Sequence, residues 1–194
     1  MLDARFAAVL RGARDGDVQA FAELWRETQP MLLRYLRVTA GGDAEDVASQ
    51  TWVRVIEGLA SFSGEEPGFR RWVVTIARNV HVDALRRAGR RPEDLVADIG
   101  MLDEQPTSPD PAATAEGRMS TRAALALVAT LPPDQAEMIT LRVLVGLDVA
   151  EVAALVGRSP GAVRVAVHRG LRRLRAQLVD VETVTGHPAE AFHN

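Results

Sequence analysis

The sequence contains no cysteine and no lysine, and aromatic residues make up only 5% of its 194 positions. Without cysteine, the chain can form neither a disulfide framework nor a thiolate metal site. No apolar run approaches the roughly 20 residues that span a bilayer. Asp3 and Arg5 interrupt the apolar N-terminal stretch, which argues against a signal peptide. We therefore expect a soluble, cytoplasmic protein with no membrane insertion.

The motifs of common enzyme classes are also missing. The sequence has no glycine-rich phosphate loop, no His-Glu-x-x-His and no nucleophile elbow. The histidines are scattered along the chain, at His81, His168, His187 and His193. We therefore expect no catalytic residue, no metal and no cofactor, and conclude that the protein is not an enzyme.

The residues that are abundant favour an all-α fold, and their charge divides the chain. Residues 1–91 hold 14 arginines against 12 acids, and residues 118–178 hold nine against four. Between them, residues 92–117 hold seven acids, no base and four prolines, which is typical of a linker. We predict two small helical domains, 1–91 and 121–178, joined by an acidic flexible linker, 92–120, and followed by a short tail, 179–194. Because the charge is segregated, the overall net charge of -3 does not argue against nucleic-acid binding.

The second domain has the pattern of a helix-turn-helix. Proline can start a helix at Pro132–Pro133, and Gly146 can end it. Asp148 is placed to cap a short helix that ends at Gly157. Ser159, as an N-cap before a proline, then opens a helix rich in arginine. A short helix, a glycine turn and a basic helix together predict a DNA-binding unit whose last helix enters the major groove. The alternative is a helical hairpin with a solvated basic face.

The first domain carries a second polar surface on a long helix. The pattern predicts a helix over 43–57, with apolar positions at Val47, Trp52, Val55 and Ile56, then a loop, then a helix over 70–87. In the last helix apolar residues recur every four positions, which predicts a core face of Trp72, Ile76, Val80 and Ala84. Another side of this helix gathers Arg71, Thr75, Arg78, Asn79 and Arg86. Arginine suits phosphate and asparagine can contact a base edge, although a solvated face remains the alternative.

Four segments taken in order resemble the extracytoplasmic-function sigma factors of bacterial RNA polymerase. They are Phe21-Ala22-Glu23-Leu24, residues 43–55, FRRWVVTIARNVHVDALRR and GLDVAEVAALVGRSPGAVRVAVHRGLRRL. The resemblance covers residues of about 17–91 and 125–176. It implies that the first domain is sigma region 2, a helical bundle, and the second is sigma region 4.

The resemblance also assigns roles to residues of this sequence. It implies that core polymerase is bound by Asp46, Ser49, Gln50 and Trp52. It implies that the loop Ser61 to Phe69 and the helix after it recognise and melt the minus-ten element. We expect Phe62 or Phe69 to stack on an extruded base, and the polar side of the helix to contact DNA. Contacts to the minus-thirty-five element are expected from Ser159, Arg164, His168, Arg169, Arg172 and Arg173.

Three pairs of residues depart from the family pattern. Ser49-Gln50 stands where the family commonly has Gln-Glu, so one expected acid is missing. Val165-Ala166 replaces Ser-Arg, and Gly170-Leu171 replaces Ala-Arg. We expect Gly170, inside a helix, to cost about 1 kcal/mol relative to alanine.

The resulting prediction is a sigma factor that binds core RNA polymerase and directs promoter recognition, DNA melting and transcription initiation. Its predicted partners are core polymerase and promoter DNA. The resemblance adds an anti-sigma factor, which nothing in the sequence identifies. The acidic linker either enters the RNA channel of the polymerase or is a solvated tether. The alternative function is a dimeric helix-turn-helix repressor or regulator.

Overall fold

The computed structural model describes the backbone of residues 5–89 and 115–185, and the side chains of residues 5–89 and 121–178. Its helices are α1 (Phe6–Arg14), α2 (Val18–Thr39), α3 (Ala44–Gly58), α4 (Glu66–Arg87), α5 (Ala115–Ala129), α6 (Pro133–Thr140), α7 (Val149–Val156) and α8 (Pro160–Thr185). No strand occurs in these two ranges. The all-α prediction is therefore confirmed for this part of the chain.

Helix α2 is the hub of the first four helices, because it contacts α1, α3 and α4. Its start is fixed by Asp17, whose carboxylate accepts the backbone N–H of Gln19 at 2.8 Å. Four leucines of α2 are almost completely buried: Leu24, Leu32, Leu33 and Leu36. These side chains form the centre of the core on which the other helices pack.

The observed bounds of α3 and α4 correct the predicted loop. Helix α3 agrees with the predicted 43–57 within one residue at each end. Helix α4, however, starts at Glu66 instead of Arg70, with Pro67 in its first turn, where a missing N–H costs no hydrogen bond. A 3-10 turn, Leu59–Ser61, precedes it. Most of the predicted loop is thus helical, and only residues 62–65 connect the two elements.

The core face of α4 differs from the predicted repeat. Trp72, Ile76 and Ala84 are only half-buried, whereas Val80 is buried as predicted. The fully buried side chains are Phe69, Val73, Val74, Ala77 and Val80. Helix α4 packs against both α2 and α3, so its buried face is wider than a single row of residues. The residues spaced four apart form only one edge of that face.

The last three helices form the predicted helix-turn-helix. Helix α6 continues into a π turn, Leu141–Val145, and ends at Gly146, whose φ of 81° requires glycine. Asp148 and Glu151 form a capping box at the start of α7, each side chain accepting the other's backbone N–H. Ser159 caps α8 by accepting the N–H of Ala162 at 3.2 Å. All three sequence signals are confirmed.

Gly170 has a packing role in α8. A Cβ on this residue would lie 2.5 Å from Cδ1 of Ile139 and 3.4 Å from Cδ1 of Leu131. Helix α8 therefore crosses α6 closely at this point, and a side chain at position 170 would have to displace the end of the Ile139 side chain. The expected helix penalty at Gly170 is accompanied by a close helix–helix contact.

The predicted linker and tail lie largely outside the described residues, which resume at Ala115 and end at Thr185. Helix α5 starts at Ala115, so the last six residues of the predicted linker are helical. Helix α8 continues past residue 178, into the predicted tail. His187 and His193 also lie outside the described ranges.

The helices before and after the linker pack against one another. Val38 of α2 is buried in one apolar cluster with Leu131, Ala136 and Ile139. Helix α2 contacts both α5 and α6, and α4 contacts the π turn that follows α6. The two halves of the chain therefore share an apolar interface.

Candidate polymerase and DNA interfaces

Helix α3 presents one exposed face that contains three of its four predicted polymerase-binding residues. Asp46, Ser49 and Gln50 are all exposed. The hydroxyl of Ser49 donates to the carbonyl of Glu45 at 2.9 Å. At about 100° per residue, these side chains fall within one third of the helix circumference.

Trp52 does not belong to that face. Its side chain is 7% exposed, and its indole Nε1 donates to Oε1 of Gln29 at 2.6 Å. Its ring also packs edge-on against Phe21, with centroids 5.9 Å apart. The prediction that Trp52 contacts polymerase is corrected: Trp52 is a core residue that joins α3 to α2.

Two apolar residues of α3 were missed as surface residues. Val53 is 56% exposed and Ile56, which was predicted to be an apolar core position, is 57% exposed. Val53 lies between Ser49 and Gln50 on the helical projection. The buried stripe of Val47, Thr51 and Val55 leaves this residue outside the core, a signal that is present in the sequence. The α3 face is therefore mixed, polar with an apolar centre.

The aromatic residues near the start of α4 form a cluster of three. The ring of Phe62 lies 5.4 Å from that of Phe69 and 5.0 Å from that of Trp72, between centroids. Phe69 is only 1% exposed, so it has no face free for a base, and that alternative is corrected. Phe62 and Trp72 are half-buried at the edge of the core. Trp72, which was predicted to face the core, packs against it and keeps part of its side chain exposed.

The predicted polar side of α4 is a single face, but its residues have different partners. Arg71 and Arg78 both bond to carboxylates of the other half of the chain, Glu151 and Glu137 respectively. Thr75 donates its hydroxyl to the carbonyl of Arg71 at 2.9 Å. Asn79 and Arg86 are exposed, and Nη1 of Arg86 forms an ion pair with Oδ1 of Asp83 at 3.6 Å. The five residues thus share one face of α4 but are spread along most of its length.

Glu137 is at the centre of a polar cluster between the two halves. Its Oε1 accepts from Nε of Arg78 at 2.9 Å and from the hydroxyl of Tyr35 at 3.2 Å. Burial, followed by the charge of Glu137, raises the pKa of Tyr35 well above its usual value. Burial lowers the pKa of the neighbouring His81, although Glu137 opposes this shift. Both groups are therefore neutral at physiological pH.

Helix α8 carries the most exposed basic row. Arg164, His168 and Arg172 are exposed, and their spacing puts them within about 80° of one another, together with Arg175. Arg169 is exposed on an adjacent side. Ser159 is engaged as the helix cap, so the predicted DNA contact would have to share its hydroxyl.

Arg173 lies on the side of α8 that faces α6. Its Nη1 donates to Oε1 of the buried Gln135 at 2.7 Å. This bond tethers α8 to α6, while Arg173 itself stays exposed, so its contact with phosphate remains a prediction. Arg175, which was not among the predicted contacts, lies on the same exposed side of α8 as Arg164, His168 and Arg172.

Comparisons with known proteins identify the family of this chain. Residues 24–91 match the family described as Sigma-70 region 2, and residues 121–174 match Sigma-70, region 4. The chain is 39% identical over 180 residues to the ECF RNA polymerase sigma factor ShbA of Streptomyces griseus, covering 87% of this chain and 93% of that protein. The chain belongs to the extracytoplasmic-function sigma factors. The predicted function as an RNA polymerase sigma factor is confirmed, and the repressor alternative is not favoured.

Other relatives of this sigma factor come from Streptomyces and Mycobacterium. It is 33% identical over 179 residues to BldN of Streptomyces coelicolor, covering 91% of this chain and 67% of BldN. It is 34% identical over 184 residues to SigD of Mycobacterium tuberculosis, covering 90% and 84% of the two chains. The predicted division into sigma regions 2 and 4 is confirmed as a fold class.

A solved structure shares the fold. CnrH, solved in complex with the cytosolic domain of CnrY, aligns with a TM-score of 0.56 and 24% identity, covering 89% of this chain and 96% of CnrH. Within the described ranges, no helix is long and apolar enough to cross a membrane. The same residues contain no group of three or more histidines or acids placed to hold a metal ion.

Proposed function

We propose that this sigma factor uses three separate surfaces in transcription initiation. The α3 face binds core polymerase, the Phe62 segment with α4 opens the minus-ten element, and α8 binds the minus-thirty-five element. The observation that carries the proposal is the exposed row of Arg164, His168 and Arg172 on the last helix of a helix-turn-helix. Such a row suits a helix in the major groove, flanked by phosphates.

The position of each arginine along α8 favours a division of roles. Arg164 lies one turn from the capped N-terminus, the end that approaches base edges in a helix-turn-helix. Arg172 follows two turns later on the same face, where the helix leaves the groove and passes the phosphate backbone. We propose that Arg164 selects sequence and that Arg172 supplies affinity.

Alanine substitutions test this division. We expect Arg164→Ala to cost about 1–3 kcal/mol and to relax preference at one or two positions of the upstream element. We expect Arg172→Ala to weaken binding evenly and to reduce the salt slope by about one. Holoenzyme binding to a randomised upstream element measures both, with the exposed Arg26→Ala of α2 as the matched control. An unchanged preference profile for Arg164→Ala would show that this arginine contacts no base.

The segment around Phe62 and α4 suits single-stranded DNA. Phe62 and Trp72 lie half-buried near the start of α4, and Asn79 and Arg86 are exposed further along the same helix. Single-strand binding surfaces combine aromatic and polar groups of this kind. We expect Phe62→Ala to slow promoter opening on duplex DNA, and to have less effect on a template whose minus-ten region is already unpaired. Equal losses on both templates would contradict a role in melting.

The exposed α3 face is proposed as the polymerase-docking surface. Asp46, Gln50 and Val53 are exposed on this face, so substituting them should not disturb the core. We expect Asp46→Ala with Gln50→Ala to weaken association with core polymerase at unchanged thermal stability, as measured by co-elution. The control pair, Asp15→Ala with Gln19→Ala, removes the same groups from an exposed site at the α1–α2 corner. Loss of association in the control pair, or none in the α3 pair, would refute this placement.

We further propose that the protein works in the cytoplasm as a regulatory subunit without catalytic activity of its own. The family supports this, since its members are transcription initiation factors. An anti-sigma factor remains a proposed partner, supported by the fold shared with CnrH, which was solved bound to the cytosolic domain of CnrY. Purification of the tagged chain from its host, with identification of bound proteins, tests for such a partner.

A further inference from the structure

Two ion pairs join the first half of the chain to the second. Glu137 of α6 pairs with Arg78 of α4 at 2.9 Å. Glu151 of α7 pairs with Arg71 of the same helix. Both carboxylates come from region 4 and both guanidinium groups from region 2. The contact therefore has one sign of charge on each side.

The arginines in these pairs are spaced to follow a nucleic-acid backbone. Arg71 and Arg78 are seven residues apart, two turns of α4, or about 10.5 Å along the helix axis. Carboxylate oxygens bind guanidinium groups in the same way as phosphate oxygens do. Glu137 and Glu151 thus occupy two of the groups on α4 that the proposed function assigns to minus-ten DNA.

The pairs rest on additional contacts between the halves. The side chains of Arg78 and Glu137 are both mostly buried, with 19% and 21% exposed. Tyr35 donates a second hydrogen bond to the same carboxylate oxygen. Val38, one turn further along α2, packs with Leu131 and Ile139 beside this cluster. The closed arrangement is therefore built from a polar cluster and an apolar contact that reinforce one another.

We propose that these contacts are an autoinhibitory latch, in which region 4 closes on region 2 and its Glu137 and Glu151 compete with promoter DNA for Arg78 and Arg71. The DNA-competition part rests on the proposed function of α4, whereas the latch itself does not. The row of Arg164, His168 and Arg172 stays exposed in the closed form, so the latch engages Arg71 and Arg78 and leaves the α8 surface open. A partner that separates the regions must break both pairs before α4 can receive DNA.

The sharpest perturbation removes the two charges and keeps the local hydrogen bonds. Glutamine at position 137 can still accept from Tyr35, and glutamine at position 151 still completes a capping box with Asp148. The control pair, Glu23→Gln with Asp134→Asn, removes the same charge at an intra-region pair with Arg5 and at the exposed first turn of α6. Because the chain has no cysteine, Ala8→Cys and Ala154→Cys give two unique, exposed labelling sites, one in each region.

Distance measurements between these labels on the full chain report the latch directly. For Glu137→Gln with Glu151→Gln, we expect the ratio of open to closed forms to rise about 3- to 30-fold. This range is what the loss of two partly exposed ion pairs should produce. The control pair should match the parent chain. A distance distribution that does not differ from that of the control would overturn the latch.

Charge reversal provides a second, independent variant. Glu137→Arg places two like charges together beside Tyr35, so the open fraction should rise further. Adding Arg78→Glu restores an ion pair of reversed polarity and should bring the distance distribution back toward the closed form. Failure of the second substitution to rescue the first would mean that the pair does not hold the regions together.

Binding of a short mixed-sequence single-stranded DNA separates the latch from the proposed DNA surface. If Arg71 and Arg78 become available, the salt slope of the Glu137→Gln, Glu151→Gln variant should steepen by up to about 1.4, because each phosphate contact on single strands contributes about 0.7. Open distances with a slope equal to that of the control would retain the latch and reject the assignment of α4 to DNA. Closed distances would reject the latch whatever the DNA result.

Discussion

Replacing Gly170 by alanine separates helix propensity from packing. Alanine is favoured over glycine inside a helix by about 1 kcal/mol, so propensity alone predicts a more stable protein. The packing around Gly170 predicts that this gain is cancelled or reversed. The new Cβ would lie 2.5 Å from Cδ1 of the buried Ile139 and 3.5 Å from Cβ of Gln135. Overpacking of this kind costs about 1–3 kcal/mol, so we expect Gly170→Ala to be neutral or to destabilise region 4 by up to about 2 kcal/mol.

Removing the clashing methyl group should restore that gain. In an Ile139→Val background, Cδ1 is absent, so Gly170→Ala should stabilise the protein by up to about 1 kcal/mol. Ile139→Val itself should cost about 0.5–1.5 kcal/mol. The coupling free energy between the two sites is therefore expected to be favourable and about 1–2 kcal/mol.

Urea unfolding of the four proteins of this cycle measures the coupling. The matched control is Gly161→Ala in the first turn of α8, where an added Cβ meets only Ser159 Oγ at 3.9 Å. We expect this control to be neutral or slightly stabilising. Stabilisation by Gly170→Ala in the parent chain, or additivity with Ile139→Val, would refute the close crossing of α6 and α8.

Three further predictions concern buried polar groups and a helix cap. Because burial lowers the pKa of His81, the unfolded state binds more protons than the folded state, so stability should fall as the pH drops through about 6.5. The slope should be at most about 1.4 kcal/mol per pH unit, and His81→Asn should reduce it in urea titrations. Glu151→Ala should cost about 1 kcal/mol more in unfolding free energy than Glu151→Gln, which keeps the capping box. Trp52→Phe should destabilise the fold by about 1–3 kcal/mol through the unpaired Gln29, and leave core polymerase binding unchanged below the melting temperature.

Local signals in the sequence predicted the helix-turn-helix well. Asp148, Gly157 and Ser159 act on their own backbone or on that of residues within three positions, so neighbouring residues decide their roles. In α3, the same short-range periodicity correctly assigned Val47 and Val55 to the core, although it also assigned the exposed Ile56 to it. These features do not depend on how distant helices meet.

Features that depend on tertiary packing were not predictable in this way. Trp52 and Phe69 have residue types that suit binding surfaces, but the helices around them enclose both. Gly170 is explained only by a contact with Ile139, 31 positions earlier. The pairs of Arg71 and Arg78 with acids of the other half depend on how the two regions dock, which no local pattern encodes.

Run-off transcription with purified core polymerase tests the account's central claim most directly. The full chain is added to core enzyme with genomic promoter fragments, and the transcript starts are sequenced. We predict starts that share upstream minus-ten and minus-thirty-five elements, that require both core enzyme and this chain, and that are lost with Asp46→Ala and Gln50→Ala. Tight binding of the free chain as a dimer to a palindromic site, with no transcripts in the presence of core enzyme, would contradict it.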